Sequence, residues 1–124
     1  MAILVDTQAL VWAITDSPRL SSAARSVLVD VDEDVFISAV TAFEFVDLNR
    51  RGRFGVDLPF EAVLSQLEAT VLATPAELWT TIDALPPIHR DPVDRMLIAH
   101  AVHADLPIVT ADAAMSHYPV RIIW

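Results

Sequence analysis

Along this chain, short unbroken apolar runs alternate with longer stretches whose apolar residues recur every three or four positions. The first pattern is that of a buried strand and the second that of a helix with one face in a core. AILVD at residues 2–6 predicts the first strand, and TQALVWAIT from Thr7 predicts a helix ended by Asp16-Ser17-Pro18. Ser21 caps a second helix running to about residue 29, and the acidic DVDED is a solvated turn before the strand VFIS, residues 35–38. Ser38 or Thr41 opens a longer helix for which Gly52 is the natural stop. Pro59 stands in the first turn of PFEAVLSQLEA, and TVLA at residues 70–73 reads as a short strand. Thr74-Pro75 starts the helix PAELWTTIDAL, which Pro86-Pro87 breaks. A further helix runs from Pro92 to about Ala104; LPIVTAD is then a strand and a turn, and VRIIW a closing strand.

Strands alternating with helices predict an α/β fold with a mainly parallel sheet. Continuous apolar strands such as AILV and PIV fit a sheet covered on both faces. The 124 residues, free of repeats and linkers, are expected to form one domain. In open α/β sheets ligands bind beyond the carboxyl ends of the strands, which directs attention to Asp6 and Asp112.

Composition narrows the chemistry. Cysteine is absent, which removes disulfides, thiol nucleophiles and cysteine-bound zinc. All 8 basic residues are arginine, so neither a P-loop lysine nor a Schiff-base lysine exists. Gly52 and Gly55 are the only glycines, and neither a glycine-rich phosphate loop nor a G-x-S-x-G elbow is present. Carboxylates, histidines and hydroxyls remain. The net charge of −9 gives no general affinity for nucleic acid, so action on RNA or DNA requires local geometry and bound cations. The same acidity suits a basic partner protein. No apolar run reaches the roughly 18 residues of a membrane span. The apolar N-terminus lacks a basic n-region and carries Asp6, unlike a signal peptide, so a cytoplasmic protein is expected.

The segment HRDPVDRMLIAHA, residues 89–101, places two acids at the head of a core helix. Asp91 before Pro92 is a good N-cap. Asp94 falls at N3, where an acid can meet the helix dipole. Yet Val93, Leu97, Ile98 and Ala101 flank it on the helical wheel, in the middle of the apolar stripe. An unpaired charge there costs several kcal/mol unless it is neutralised, hydrogen-bonded or bound to a metal. Glu44 repeats the pattern between Val40 and Leu48, with Asp47 its rival on the same helix. Asp6 can cap the helix from Thr7, and Asp112 in TAD can form an Asx-type turn. Each acid thus has a local explanation, but two at strand ends and two on inward helix faces can converge on one crevice. Four such carboxylates call for hard divalent cations, Mg²⁺ or Mn²⁺. A site of this kind activates water and stabilises attack on a phosphodiester.

These motifs, LVDTQALVW, ISAVTAFEF, HRDPVDRMLIAHA and PIVTAD, resemble the PIN-domain family, and within it the VapC-type toxins of bacterial toxin–antitoxin pairs. Their order and spacing run through nearly the whole chain. The resemblance implies an α/β/α sandwich around a parallel sheet and a metal-dependent endoribonuclease using Mg²⁺ or Mn²⁺. The family acids fall on Asp6, Glu44, Asp94 and Asp112, as metal ligands and catalytic residues, with Thr110 as the supporting hydroxyl. It further implies an RNA substrate, a VapB-type antitoxin, a homodimer, and DNA contact only through the antitoxin. Leu48 stands where relatives often carry a lysine, and Arg50, Arg51 and Arg53 are candidates to replace its charge.

Several residues are weighed and set aside. Arg50 and Arg51 can grip RNA phosphates or simply favour a helix C-terminus. Arg95 can lie at the mouth of the crevice or in solvent. His100 and His103 have a metal-compatible spacing but no third ligand, which favours a helix-face role. His89 reads as a loop residue, and Trp12, Trp79 and Trp124 as core or interface anchors. The alternatives to a toxin are a catalytically silent PIN-like module that binds RNA or protein, and a housekeeping RNA-processing nuclease.

Overall fold

The computed structural model describes residues 1–124. Ten of its elements frame the candidate site: β1 (Ala2–Val5), α1 (Thr7–Ile14), β2 (Asp34–Ser38), α3 (Ala39–Arg50), α4 (Phe60–Leu67), β3 (Ala69–Leu72), α5 (Leu78–Ala84), α6 (Pro92–Ala104), β4 (Ile108–Val109) and β5 (Ile122–Ile123). The helix α2 (Ser22–Val29) lies between α1 and β2, and a 3₁₀ turn at Ala113–His117 precedes β5. The strands form one sheet in the order β3-β2-β1-β4-β5, and every pairing is parallel.

Strand period decides what each face buries. Ile3, Val5, Val35, Ile37 and Val109 point to a core shared with α1, α2, α3 and α4. Their neighbours Leu4 and Ile108 point the other way, into a core completed by Leu78 of α5, by Leu97 and Ile98 of α6, and by Tyr118. The result is the expected α/β/α sandwich, with unbroken apolar strands because both faces are covered. No helix is long and apolar enough to cross a membrane.

Polar side chains begin the helices. Asp6, Ser21, Ser38 and Asp91 each accept a backbone N–H as N-caps of α1, α2, α3 and α6. Gly52, at φ 78°, lies just past the C-cap of α3, where a left-handed residue suits glycine. Several boundaries depart from the sequence pattern. α4 ends at Leu67 because Glu68 turns left-handed, at φ 50°, and the chain enters β3 directly. The ladder takes Ala69 opposite Val35, so this strand starts one residue earlier than the pattern suggests. α5 starts at Leu78; the three residues before it form a turn in which Leu78 N–H reaches the Pro75 carbonyl at 3.2 Å. The 3₁₀ turn after Asp112 is not visible as a pattern at all.

The chain runs outward from β1 to β3, then returns through α5 and α6 to place β4 on the other side of β1. Strand order therefore reverses between β1 and β4, and the loops leaving their carboxyl ends diverge to open a crevice. Beneath it, Phe45 of α3 is 1% exposed, with its ring 5.7 Å from Phe54 and 5.6 Å from Phe60. Phe45→Ala is expected to lower stability by about 3–5 kcal/mol, measured by urea unfolding followed through tryptophan fluorescence. A loss below about 1 kcal/mol would show that this aromatic cluster does not anchor α3.

Candidate metal centre

Asp6 follows the last residue of β1. Its Oδ1 accepts the Ala9 N–H at 2.7 Å, as the α1 cap requires, and its Oδ2 accepts the Thr110 hydroxyl at 2.5 Å. Thr110, fully buried just after β4, also accepts the Asp112 N–H at 3.0 Å. One hydroxyl thus joins the loops leaving the two central strands. Asp112 caps the 3₁₀ turn by accepting the Ala114 N–H on Oδ1 at 3.0 Å, and its Oδ2 faces His89 Nε2 at 2.7 Å.

Two helices supply the other acids. Glu44 of α3 accepts the Thr7 hydroxyl on Oε1 at 2.5 Å. Asp47, its rival by sequence, instead pairs with Arg51 at 3.3 Å on the surface. Asp94 lies in the first turn of α6, where Asp91 does the capping by accepting the Val93 N–H at 2.8 Å. A cavity of about 180 Å³ is lined by Asp6, Glu44 and Asp94 together with Thr7, Thr41 and Leu48. On its far side, a carboxylate oxygen of Asp94, one of Asp112 and a ring nitrogen of His89 all lie within 4.8 Å of one another. Asp94 belongs to both groups, so the four acids anticipated from the sequence form one continuous cluster.

Electrostatics follow from this crowding. Burial raises the Asp6 carboxyl; Asp112 and Glu44 push it further, while the hydrogen bonds from Thr110 and Ala9 oppose them. Burial also drives Asp94 up to about 6, with Asp91, Glu44 and Asp112 adding to the shift and His89 opposing it. No hydrogen bond holds the Asp94 charge down. An ionised, half-buried carboxylate among other acids is relieved by a cation. The donor set is dominated by carboxylate oxygens, which fits Mg²⁺ or Mn²⁺.

Other candidates lie elsewhere. Arg95 does not reach the crevice: its guanidinium donates to the carbonyls of Pro86 at 2.8 Å and Ile82 at 3.0 Å, near the end of α5. Those carbonyls also accept the Leu85 and Ile88 N–H groups, so the guanidinium adds a second, charge-assisted donor where α5 ends. Arg50 and Arg51 sit at the exposed end of α3. His100 is buried with Nδ1 2.8 Å from Ser38 Oγ, and His103 lies 3.6 Å from Glu77, so the pair does not share a ligand. Trp12 and Trp124 pack with ring centroids 5.7 Å apart, whereas Trp79 is exposed. His89 is in a loop, as expected, but its side chain is only 11% exposed and faces the acids. Its one sequence signal is that it heads the HRDP motif; Tyr118, its partner, has none.

A parallel sheet covered by helices on both faces, with acids clustered where its strand order reverses, defines a class of α/β folds whose carboxyl edge can hold a cation. The chain belongs to the PIN-domain family, whose PIN domain matches residues 3–120. It is similar to Ribonuclease VapC22 of Mycobacterium tuberculosis, 29% identical over 113 residues that cover 89% of this chain and 86% of that protein. Its fold resembles that of VapBC2 from Rickettsia felis, solved bound to a DNA fragment from its promoter. There the TM-score is 0.71 at 15% identity, covering 98% of this chain and 97% of the other. VapBC-1 from nontypeable Haemophilus influenzae gives a TM-score of 0.61 at 14% identity, covering 98% and 96%.

The Asp94 shift has a consequence for stability. In the unfolded chain the group titrates near 3.8 and in the folded one near 6. Across that window the folded state binds more protons, so raising the pH destabilises the metal-free fold, and Asp6 acts in the same direction. In EDTA, the melting temperature attributable to these groups falls as pH rises from about 4 to about 7. Asp94→Asn is expected to flatten that fall and to melt above the wild type at neutral pH. Scanning calorimetry of both proteins checks it; parallel pH profiles would contradict the shift.

Proposed function

We propose that this protein is a divalent-metal-dependent endoribonuclease and the toxin of a type II toxin–antitoxin pair. The observation that carries the reading is the convergence of Asp6, Glu44, Asp94 and Asp112 at the carboxyl ends of β1 and β4. The similarity to a ribonuclease of the VapC type supports RNA as the substrate.

In this reading Asp6 and Asp94 are the primary ligands of Mg²⁺ or Mn²⁺, and Glu44 and Asp112 complete the site. When bound, the metal supplies Lewis acidity and a water activated near neutral pH for in-line attack on the phosphodiester. The chain's own contribution is to hold four charges in register. Thr110 fixes Asp6 relative to Asp112, and Thr7 fixes Glu44 beside the first turn of α1. Cations also reverse the local sign that a phosphate meets on a chain of net charge −9. Arg50 and Arg51, exposed at the end of α3, are the candidates for outer phosphate contacts.

A VapB-type antitoxin is the proposed partner, in keeping with the VapBC neighbours, and DNA contact would come through it. Exposed Phe43 and Val46 on α3 offer apolar surface to such a partner, and the acidic crevice suits an inserted basic residue. Homodimerisation and action in the cytoplasm are proposed on the family resemblance.

Asp94→Asn is expected to abolish RNA cleavage with the circular dichroism spectrum unchanged, and EDTA to abolish cleavage by the wild type. Mapping RNA 5′ ends after induced expression in cells, wild type against Asp94→Asn, tests activity and identifies the target together. Full cleavage by the variant, or cleavage indifferent to EDTA, would sink the reading. A short adjacent reading frame encoding a DNA-binding protein separates a toxin from a housekeeping nuclease.

A further inference from the structure

His89 lies two residues before the α6 cap, in the loop from α5, yet its ring is held at both nitrogens. Its backbone N–H donates to the Tyr118 hydroxyl at 2.7 Å, and its Nδ1 lies 2.9 Å from the same oxygen. On the other side, Nε2 lies 2.7 Å from Asp112 Oδ2. Tyr118 is 4% exposed and packed in the α5–α6 core, with its ring 5.4 Å from that of His89.

Donors and acceptors fix the direction of this chain. An ionised Asp112 can only accept, so Nε2 carries the proton. In the neutral ring Nδ1 is then an acceptor, and it takes the Tyr118 hydroxyl proton. The Tyr118 oxygen in turn accepts the His89 N–H. Each donor then has one acceptor, and no ring lone pair is left for a metal. Asp112 is meanwhile held at Oδ1 by the Ala114 N–H and at its own N–H by Thr110. Only Oδ2, the oxygen toward His89, depends on a side chain for its orientation.

We propose that His89 is a positioning residue: locked by Tyr118, it presents Nε2–H to Asp112 Oδ2 and fixes how that carboxylate faces Asp94. The proposal rests on the nuclease reading of the site for its effect on catalysis. A hydrogen bond of this kind sets the orientation and basicity of a ligating carboxylate, and its loss typically weakens metal affinity by about 10–100-fold. The competing role, direct coordination alongside Asp94 and Asp112, requires an unprotonated Nε2.

The test compares wild type, His89→Gln, His89→Ala and Tyr118→Phe by Mn²⁺ calorimetry, RNA cleavage kinetics and thermal melting. Glutamine carries an amide N–H where the ring carries Nε2–H, so His89→Gln should keep Mn²⁺ affinity and kcat near wild type. His89→Ala should weaken Mn²⁺ binding about 10-fold or more and lower kcat with KM for RNA unchanged, and Tyr118→Phe should follow it in part. Long-range ¹H–¹⁵N correlation spectra of the metal-free wild type should report the Nε2–H tautomer of His89. A glutamine variant as weak as alanine would assign the ring to the metal, and an alanine variant binding like wild type would remove the positioning role. An Nδ1–H tautomer would overturn the proposal even if His89→Ala fails to fold. A wild type with the expected tautomer and Mn²⁺ affinities that cuts no RNA would overturn the nuclease reading instead.

Discussion

Like charge gathered in a half-buried crevice is the constraint on which the rest of this structure depends. Asp6 and Asp94 are both raised first by burial and then by neighbouring acids. Leaving such groups unpaired is costly, and the surroundings divide the burden unevenly. Asp6, Glu44 and Asp112 each receive hydrogen bonds from threonine hydroxyls, backbone amides or His89. Asp94 receives none, and burial drives it up to about 6. The crevice is therefore unevenly satisfied, and its least satisfied member stands where the two groups of acids meet.

Structural and chemical explanations of these acids turn out not to compete. Asp6 gives one oxygen to the α1 cap and the other to Thr110; Asp112 gives one to the 3₁₀ turn and the other to His89. A carboxylate has two oxygens and about four lone-pair sites, enough to start a helix and still face a site. On α6 the two jobs are separated, Asp91 capping and Asp94 facing the cavity. A strand that ends in a capping aspartate delivers that acid to the carboxyl edge of the sheet at no extra cost in chain length.

This division explains what was legible in the sequence. Unbroken apolar strands and the misplaced acid in the α6 stripe are local patterns, and both survive in the fold. The four-acid cluster was likewise approachable, because each acid lies at a strand end or on a helix face defined by its neighbours; the sheet order was not read from the sequence, which pointed only to a mainly parallel sheet. His89 was not, because its partners Asp112 and Tyr118 are 23 and 29 residues away and meet it only through the return of the chain to β4. The direction of Arg95 was equally hidden: where it points depends on where α5 ends, which periodicity does not resolve. The apolar runs in LPIVTAD and VRIIW did mark β4 and β5, but not that the ladder would take only two residues of each.

A buried histidine completes the argument from a distance. Glu44 and Asp94 belong to different helices, so their mutual placement depends on how α3 packs against α6. Ser38 caps α3 by accepting the Val40 N–H, and the same oxygen lies 2.8 Å from His100 Nδ1 on α6. Burial lowers the His100 pKa, with His103 adding to the shift and a backbone hydrogen bond at Ala73 opposing it. The neutral ring can accept the Ser38 hydroxyl proton at Nδ1, which a charged ring cannot. One uncharged hydrogen bond thus ties the start of α3 to the middle of α6. His100, set aside in sequence as a metal ligand for want of a third partner, instead joins the two helices that carry Glu44 and Asp94.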